Sequence, residues 1–116
     1  MKANDYQKLS GRTVIDKPDF KISDKEVMLS WWAIGLTGEA GEVADLIKKG
    51  VYHQQGLDKL KIKKELGDVL WYVAAMCTEM GFTMEEVMQH NVDKLKARFP
   101  EGYSSERTSF RGGDAE

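Results

Sequence analysis

The sequence predicts an all-α domain of four helices. Apolar residues recur three and four positions apart along most of the chain, and no segment alternates apolar and polar residues for long enough to predict a sheet. Helix start and stop signals divide the chain into four periodic segments. A length of 116 residues with 41% hydrophobic residues fits one globular domain with its own core.

The first two predicted elements are a short helix and an irregular connection. The helix begins near Asn4 or Asp5 and ends at about Thr13. Residues 14–22 contain Pro18, which disfavours helical geometry in the residue before it. We therefore expect this segment to be a loop.

Two long helices are predicted to follow. Ser23 and Glu26 form a capping-box pattern, which starts a helix that ends near Gly50. Asp58 is the expected cap of the next helix, which ends near Gly81. Because the connection is short, the two helices should be antiparallel neighbours.

A fourth helix completes the predicted four-helix bundle. Thr83 and Glu86 repeat the capping-box pattern, and Pro100 ends the helix. Residues 104–116 are polar, include paired glycines and lack periodicity. We therefore expect one domain over residues 1–103, followed by a mobile tail.

Charge and cysteine content argue against several classes of function. A formal net charge of -2 with dispersed basic residues gives no general attraction to nucleic acid or to acidic membranes. The sequence has no signal peptide and no apolar run long enough to span a bilayer. Cys77 is the single cysteine, so an intramolecular disulfide is impossible, and a reducing cytoplasm is the expected compartment.

Two pairs of acidic residues carry the chemistry. Glu39 and Glu42 lie three positions apart on the second helix, as do Glu65 and Asp68 on the third, so each pair shares one side of its helix. Glu39 falls about 40° from the centre of the apolar stripe at Val43 and should point toward the core. A single pair of acids at this spacing usually lies on a solvent-exposed face of a helix. Two pairs on adjacent helices, one of them on the buried side, predict a divalent-metal site, because a buried carboxylate needs a partner.

The residue types at this site indicate which metal it would bind. Ligands that are all carboxylates favour Mg²⁺, with Mn²⁺ as the alternative, over zinc. Neither His53 nor His90 has the Glu-x-x-His spacing of a di-iron bundle. Both histidines are therefore expected at the surface.

Polar residues on the fourth helix could contact phosphate. Asn91, Lys94 and Arg98 fall within about 60° of each other, beside an apolar stripe that includes Leu95 and Phe99. Alone, these three would be a solvated face. Mg²⁺ sites are commonly completed by substrate phosphates, so next to an acidic cluster they become expected counter-charges for a polyphosphate.

Aromatic residues are the third component of the predicted site, after the metal ligands and the phosphate contacts. The third helix has the acid pair on the flank of its apolar side, and Tyr72 continues that flank. The apolar side consists of Ile62, Leu66, Val69, Val73, Met76 and Met80. Trp32 is in phase with the core of the second helix. Trp32 and Tyr72 are the predicted pocket for a base. Trp71 falls opposite the core side and predicts a contact between subunits.

Three segments together carry a family resemblance: GLTGEAGEVAD at 35–45, ELGDVLWY at 65–72 and NVDKLKARFP at 91–100. They resemble the MazG-like nucleotide pyrophosphohydrolases over roughly residues 4–103. That family often has Glu-Glu-x-x-Glu on the second helix, and here the first of these glutamates is replaced by Gly38. The departure removes one potential ligand.

The resemblance implies a MazG-like all-α bundle that forms a homodimer or homotetramer. It implies Mg²⁺-dependent cleavage of nucleoside triphosphates to monophosphate and pyrophosphate, with nucleotide-pool sanitation as a possible role. The family positions that bind metal match Glu39, Glu42, Glu65 and Asp68, and Glu39 is our choice for the catalytic residue that activates water. Those that approach phosphate match Asn91, Lys94 and Arg98.

Two other functions stay open at the level of sequence. Phosphoribosyl-ATP pyrophosphohydrolase has the same superfamily fold and also cleaves an α-β linkage. A helical oligomerisation protein whose acids hold a structural metal would need no substrate. Release of pyrophosphate from a panel of nucleotides separates these possibilities.

Overall fold

The computed structural model describes residues 1–15 and 19–102, which form four α-helices and no strand. They are α1 (Ala3–Ser10), α2 (Asp24–Tyr52), α3 (Lys59–Met80) and α4 (Met84–Arg98). The all-α prediction is confirmed. Pro18 and the proposed tail at 104–116 lie outside the described residues.

The predicted caps set where the two long helices begin. The Ser23 hydroxyl accepts a hydrogen bond from the Glu26 backbone N–H at 3.1 Å, and the Glu26 carboxylate accepts one from the Ser23 N–H at 3.0 Å. This is the predicted capping box. At the start of α3, Asp58 accepts from the Lys61 N–H at 3.1 Å.

The connection between α3 and α4 follows the predicted signals. Gly81 ends α3 with a φ of 78°, a left-handed conformation that glycine adopts without steric cost. Thr83 then accepts a hydrogen bond from the Glu86 N–H at 3.0 Å and starts α4, which is one of the two hydrogen bonds of the predicted capping box. Across this turn the sulfur atoms of Cys77 and Met84 lie 3.8 Å apart.

The packed unit of the chain is the pair α2 and α3, which make the one extensive contact between helices of the described part. Their contacts run in opposite order along the two helices. They pair Trp32 with Glu79, Gly35 with Tyr72, and Glu39 with both Glu65 and Asp68. The centre of this contact therefore carries acids, and an aromatic layer follows toward the start of α2.

One copy of the chain does not close a core. Among the described residues, Cys77 is the one buried apolar side chain. The radius of gyration is 20.4 Å, whereas a compact domain of this length has about 13 Å. The helices α1 and α4 add little contact to the α2–α3 pair, so one copy does not show the predicted four-helix bundle. No described helix is long and apolar enough to cross a membrane.

The side of α3 that was predicted to face the core is confirmed in part. Ile62, Val69, Val73 and Met76 are half-buried, whereas Leu66 and Met80 of the same stripe are 49% and 44% exposed. Glu65 and Asp68, expected on a flank, are half-buried against α2. Periodicity locates an apolar stripe but does not say which neighbour covers it. Here the covered side of α3 includes the acidic flank together with most of the predicted stripe.

Candidate metal centre

Three carboxylates from two helices meet at the centre of the α2–α3 contact. Glu39 comes from α2, and Glu65 and Asp68 come from α3, one helical turn apart. One carboxylate oxygen from each residue lies within 4.8 Å of the others, and all three side chains are half-buried. The structure thus brings together three of the four acids predicted as metal ligands.

The close approach of the acids changes how readily Glu39 gives up its proton. A side-chain hydrogen bond with Glu65 raises the pKa of Glu39 above its ordinary value. Desolvation and the negative charges of Asp68, Glu65 and Glu42 act in the same direction. A proton held between the two glutamates relieves the repulsion between them. A divalent cation would relieve it in the same way, since it needs the deprotonated oxygens as ligands.

The donor set fits a hard cation. Every ligand atom in the cluster is a carboxylate oxygen, and no His or Cys takes part. Octahedral Mg²⁺ holds oxygens at about 2.1 Å, so its ligands lie at most about 4.2 Å apart. The separation in the cluster, up to 4.8 Å, would close with small side-chain rotations. Three carboxylates also leave coordination positions for water and for phosphate oxygens.

The fourth predicted acid and the predicted phosphate-binding residues lie elsewhere. Glu42 is exposed and outside the cluster, although its charge contributes to the raised pKa of Glu39. Asn91, Lys94 and Arg98 are on α4, which makes little contact with α2 or α3. Among the described residues, none of these three lines the cleft at the acids.

Lys64 places a positive charge beside the acids. Its Nζ atom lies 3.6 Å from a Glu65 oxygen and 3.8 Å from an Asp68 oxygen. The Lys64 side chain is 71% exposed, so these ion pairs stabilise the fold little. Lys64 was not predicted as a site residue. Its signal was the spacing of four residues between Lys64 and Asp68, which places both on one helix face.

The acids open into a cleft with an aromatic wall. The cleft has a volume of about 340 Å³ and is lined by Glu39, Asp68, Trp71 and Tyr72. Ligand sites in proteins are of this size and combine aromatic surface with a few polar groups. A cleft of about 360 Å³ beside Phe82, at the turn into α4, includes a single carboxylate. The first cleft is therefore the better site for a charged ligand.

An aromatic cluster supports that wall. The Trp32 indole N–H donates a hydrogen bond to Glu79 at 3.4 Å. The ring of Tyr72 lies against Gly35, in the space where a side chain at that position would begin. Trp71 was predicted on the side of α3 away from the core, and it is 56% exposed. Its ring also contacts Trp32, with centroids 5.4 Å apart, and it lines the same cleft as Glu39 and Asp68.

Comparison with known proteins agrees with the motifs. The family model of the MazG nucleotide pyrophosphohydrolase domain matches residues 31–103, more than half of the chain. The chain belongs to this family. The matched range includes the three clustered acids and all of α4. The resemblance predicted from the sequence motifs is therefore confirmed. Nucleotide pyrophosphohydrolase chemistry is thus the general activity indicated by the family.

One protein similar to this chain comes from a bacteriophage. The Gene 37 protein of Mycobacterium phage L5 is 41% identical over 80 residues, which cover 64% of this chain and 68% of the phage protein. Its name states no activity. No solved structure gives a significant match.

Proposed function

We propose that this protein is a nucleoside triphosphate pyrophosphohydrolase that uses Mg²⁺, or Mn²⁺, and releases a nucleoside monophosphate and pyrophosphate. The convergence of Glu39, Glu65 and Asp68 beside an aromatic cleft is the observation that carries the proposal. Membership of the MazG domain family supports the reaction class. A role in nucleotide-pool sanitation is part of the same proposal.

In this proposal Glu39, Glu65 and Asp68 hold the cation, and Glu42 joins them when a side-chain rotation brings it closer. The bound ion would neutralise phosphate charge and lower the pKa of water at the site. The oxygen of water forms a bond to the α-phosphorus, the bond to the α-β bridging oxygen breaks, and pyrophosphate departs. Glu39 orients this water and takes its proton, because its carboxylate lies at the centre of the acidic cluster where the water would bind.

We further place the substrate phosphates near α4. Lys94 and Arg98 supply positive charge, and Asn91 supplies a hydrogen-bond donor, for the departing pyrophosphate. The base lies against the aromatic cluster that includes Trp32 and Tyr72. The helices α2 and α3 form the antiparallel frame that positions both ends of the substrate.

The proposal includes a homodimer or homotetramer. Leu66 and Leu70 on α3 are 49% and 58% exposed, and Met88 and Leu95 on α4 are 60% and 43% exposed. Apolar surface of this extent is usually covered in a stable protein. A second copy whose α4 packs beside the acids would cover both sets of residues. It would also bring Lys94 close to carboxylates that α4 of the same copy does not reach.

The experiment that tests the function is a panel of canonical ribo- and deoxynucleoside triphosphates with phosphoribosyl-ATP, assayed for pyrophosphate release. We expect pyrophosphate from at least one nucleoside triphosphate. We also expect EDTA to abolish the reaction and added Mg²⁺ or Mn²⁺ to restore it. Preference for phosphoribosyl-ATP would assign the related enzyme instead. Activity that survives thorough chelation would reject the metal site, and no release from any compound would favour a structural protein.

A further inference from the structure

The exposed indole of Trp71 is a feature of the cleft to which the proposed metal and phosphate contacts give no role. Its side chain lines the cleft together with Glu39 and Asp68, yet the residue is 56% exposed. Trp71 thus presents an aromatic surface next to carboxylates in one cleft, a combination that ligand sites use. A ligand that is charged at one end and aromatic at the other would match both sides of the cleft.

The orientation of Trp71 is fixed by its neighbours. Its ring is edge-on to Trp32, with centroids 5.4 Å apart and an interplanar angle of 80°. It makes a second perpendicular contact with Tyr72, at 5.0 Å and 83°. Perpendicular contacts of this kind are favourable between aromatic rings. They hold the indole in place while more than half of its surface stays uncovered.

The rings of Trp32 and Tyr72 expose less surface to the cleft. Trp32 is half-buried, and its indole N–H is engaged by Glu79. Tyr72 is half-buried against Gly35. Both residues thus support the wall of the cleft, whereas Trp71 presents open surface to it.

The spacing along α3 relates this surface to the acids. Trp71 follows Asp68 by three residues, so the two side chains leave the same side of the helix about 4.5 Å apart along its axis. A polyphosphate held at the acids would place the rest of its molecule within reach of the indole. A planar heterocycle can stack there whatever its hydrogen-bonding pattern, because every base has a π face.

We propose that Trp71 is the stacking platform for the nucleobase and sets the preference of this site for nucleotides over polyphosphates that lack a base. This inference rests on the proposed function, since it assumes that phosphates bind at the acids. It replaces the predicted subunit contact through Trp71. A protein surface filling the cleft would also cover Glu39 and Asp68, which need access to ion and substrate.

The test compares two ligands on four proteins. The ligands are the nucleoside triphosphate with the highest turnover and inorganic tripolyphosphate, which has the phosphates but no base. The proteins are the wild type, Trp71→Leu, Trp71→Phe and Trp31→Leu. Trp31 is a matched control because it is 62% exposed in the same aromatic cluster but does not line the cleft with the acids. Binding is measured by calorimetry with Mg²⁺, and mass by light scattering.

Stacking of a base on an aromatic side chain strengthens binding by roughly 5- to 150-fold. We expect Trp71→Leu to weaken nucleotide binding within that range and to leave tripolyphosphate binding within about twofold. Trp71→Phe should recover part of the loss, and Trp31→Leu should change neither affinity. The mass of all variants should match the wild type.

Three outcomes would overturn the inference. Equal weakening of both ligands by Trp71→Leu would mean that the indole supports the acids rather than the base. A lower mass for Trp71→Leu would return the residue to a subunit contact. Unchanged nucleotide binding would remove any role in recognition while leaving the proposed function intact, whereas a wild type that binds neither ligand rejects the function itself.

Discussion

The ring of Tyr72 on α3 lies directly against the backbone of Gly35 on α2, and a Cβ atom at position 35 would overlap the ring. This contact lets the two helices approach closely one turn from Glu39. The aromatic wall and the acidic cluster therefore depend on the same helix spacing. Glycine is needed at this point for its lack of a side chain.

Gly35→Ala should destabilise the protein. Alanine favours a helix over glycine by about 1 kcal/mol, but relief of the overlap must move a packed aromatic ring, and overpacking costs about 1–3 kcal/mol. Gly38→Ala is the control, because nothing lies within 4 Å of a Cβ there. We expect a lower melting temperature for Gly35→Ala and an equal or higher one for Gly38→Ala. Matching shifts in the two variants would show that Tyr72 does not require the space.

Glu39→Gln should separate function from folding. The substitution keeps the shape of the side chain and removes its charge, so turnover should nearly vanish while the metal-free protein is as stable or more stable. Mg²⁺ should raise the melting temperature of the wild type more than that of the variant, because binding to the folded state stabilises it. Thermal melts with and without Mg²⁺ are run beside the pyrophosphate assay. Wild-type turnover in Glu39→Gln would falsify its catalytic assignment.

The exposed Glu42 can be compared with Glu39 in the same thermal melts with and without Mg²⁺. Glu42→Gln removes a charge that lies outside the cluster but still raises the pKa of Glu39. We expect it to reduce the Mg²⁺-dependent stabilisation less than Glu39→Gln does. A loss as large as that of Glu39→Gln would show that Glu42 binds the ion directly.

The stability of the metal-free protein should depend on pH through Glu39. Because the hydrogen bond with Glu65 raises the pKa of Glu39 in the folded state, folding favours the protonated form. This contribution is fully present below the unfolded pKa, near 4.5, and is lost as pH rises through the folded pKa. Denaturant melts between pH 4 and pH 8 should show this decline, and Glu39→Gln should flatten it.

Asp45 provides a control, because its pKa is shifted in the opposite direction to that of Glu39. A hydrogen bond from Lys49, with an ion-pair distance of 2.8 Å, lowers the pKa of Asp45. Its contribution is present above the unfolded pKa and is lost as pH falls, so Asp45→Asn should not flatten the decline at rising pH. Mg²⁺ should reverse the trend of the wild type, because the ion binds the deprotonated acids. A metal-free stability that rises with pH and is unaffected by Glu39→Gln would contradict the assignment.

Lys94→Ala should reduce kcat/KM while preserving helicity, because alanine is a strong helix former at this position within α4. If Lys94 acts on the acids of a second copy, mixing two inactive variants should restore activity. A mixed dimer of Glu39→Gln and Lys94→Ala would place both defects in one site and leave the other site intact. When the two variants are refolded together, up to about half of the sites in the mixed dimers would then be active. Absence of restoration, with both single variants inactive and assembled, would mean that both residues serve one site within a copy.

The assembly itself should depend on the apolar stripe of α4. Light scattering of the wild type should report at least two copies, and Leu95→Glu should shift the mass downward because it places a charge in a covered surface. The neighbouring Lys96→Glu, a charge change at an exposed polar position, should leave the mass unchanged. A wild-type monomer at micromolar concentration would remove the oligomer from the proposal.

Local signals in the sequence were sufficient to determine the helices. The capping box at Ser23, the cap at Asp58 and the left-handed glycine at Gly81 act within one helical turn, so their residues alone set where helices begin and end. The spacing of Glu39 and of the Glu65–Asp68 pair likewise follows from helix geometry. Fold class, helix number and the presence of an acidic site were therefore predictable.

Only the tertiary structure decided which side of each helix meets the other. Periodicity predicted that the stripe through Val69 and Val73 is covered, and it is, but the contact with α2 also covers the acid-bearing flank of α3, where Gly35 admits the Tyr72 ring. That choice brings Glu39 to the α3 acids, leaves Glu42 outside and turns Trp71 into the cleft. The sequence determined the helices because their hydrogen bonds and caps are local. The site depended on packing between residues about 30 positions apart, which no local pattern specifies.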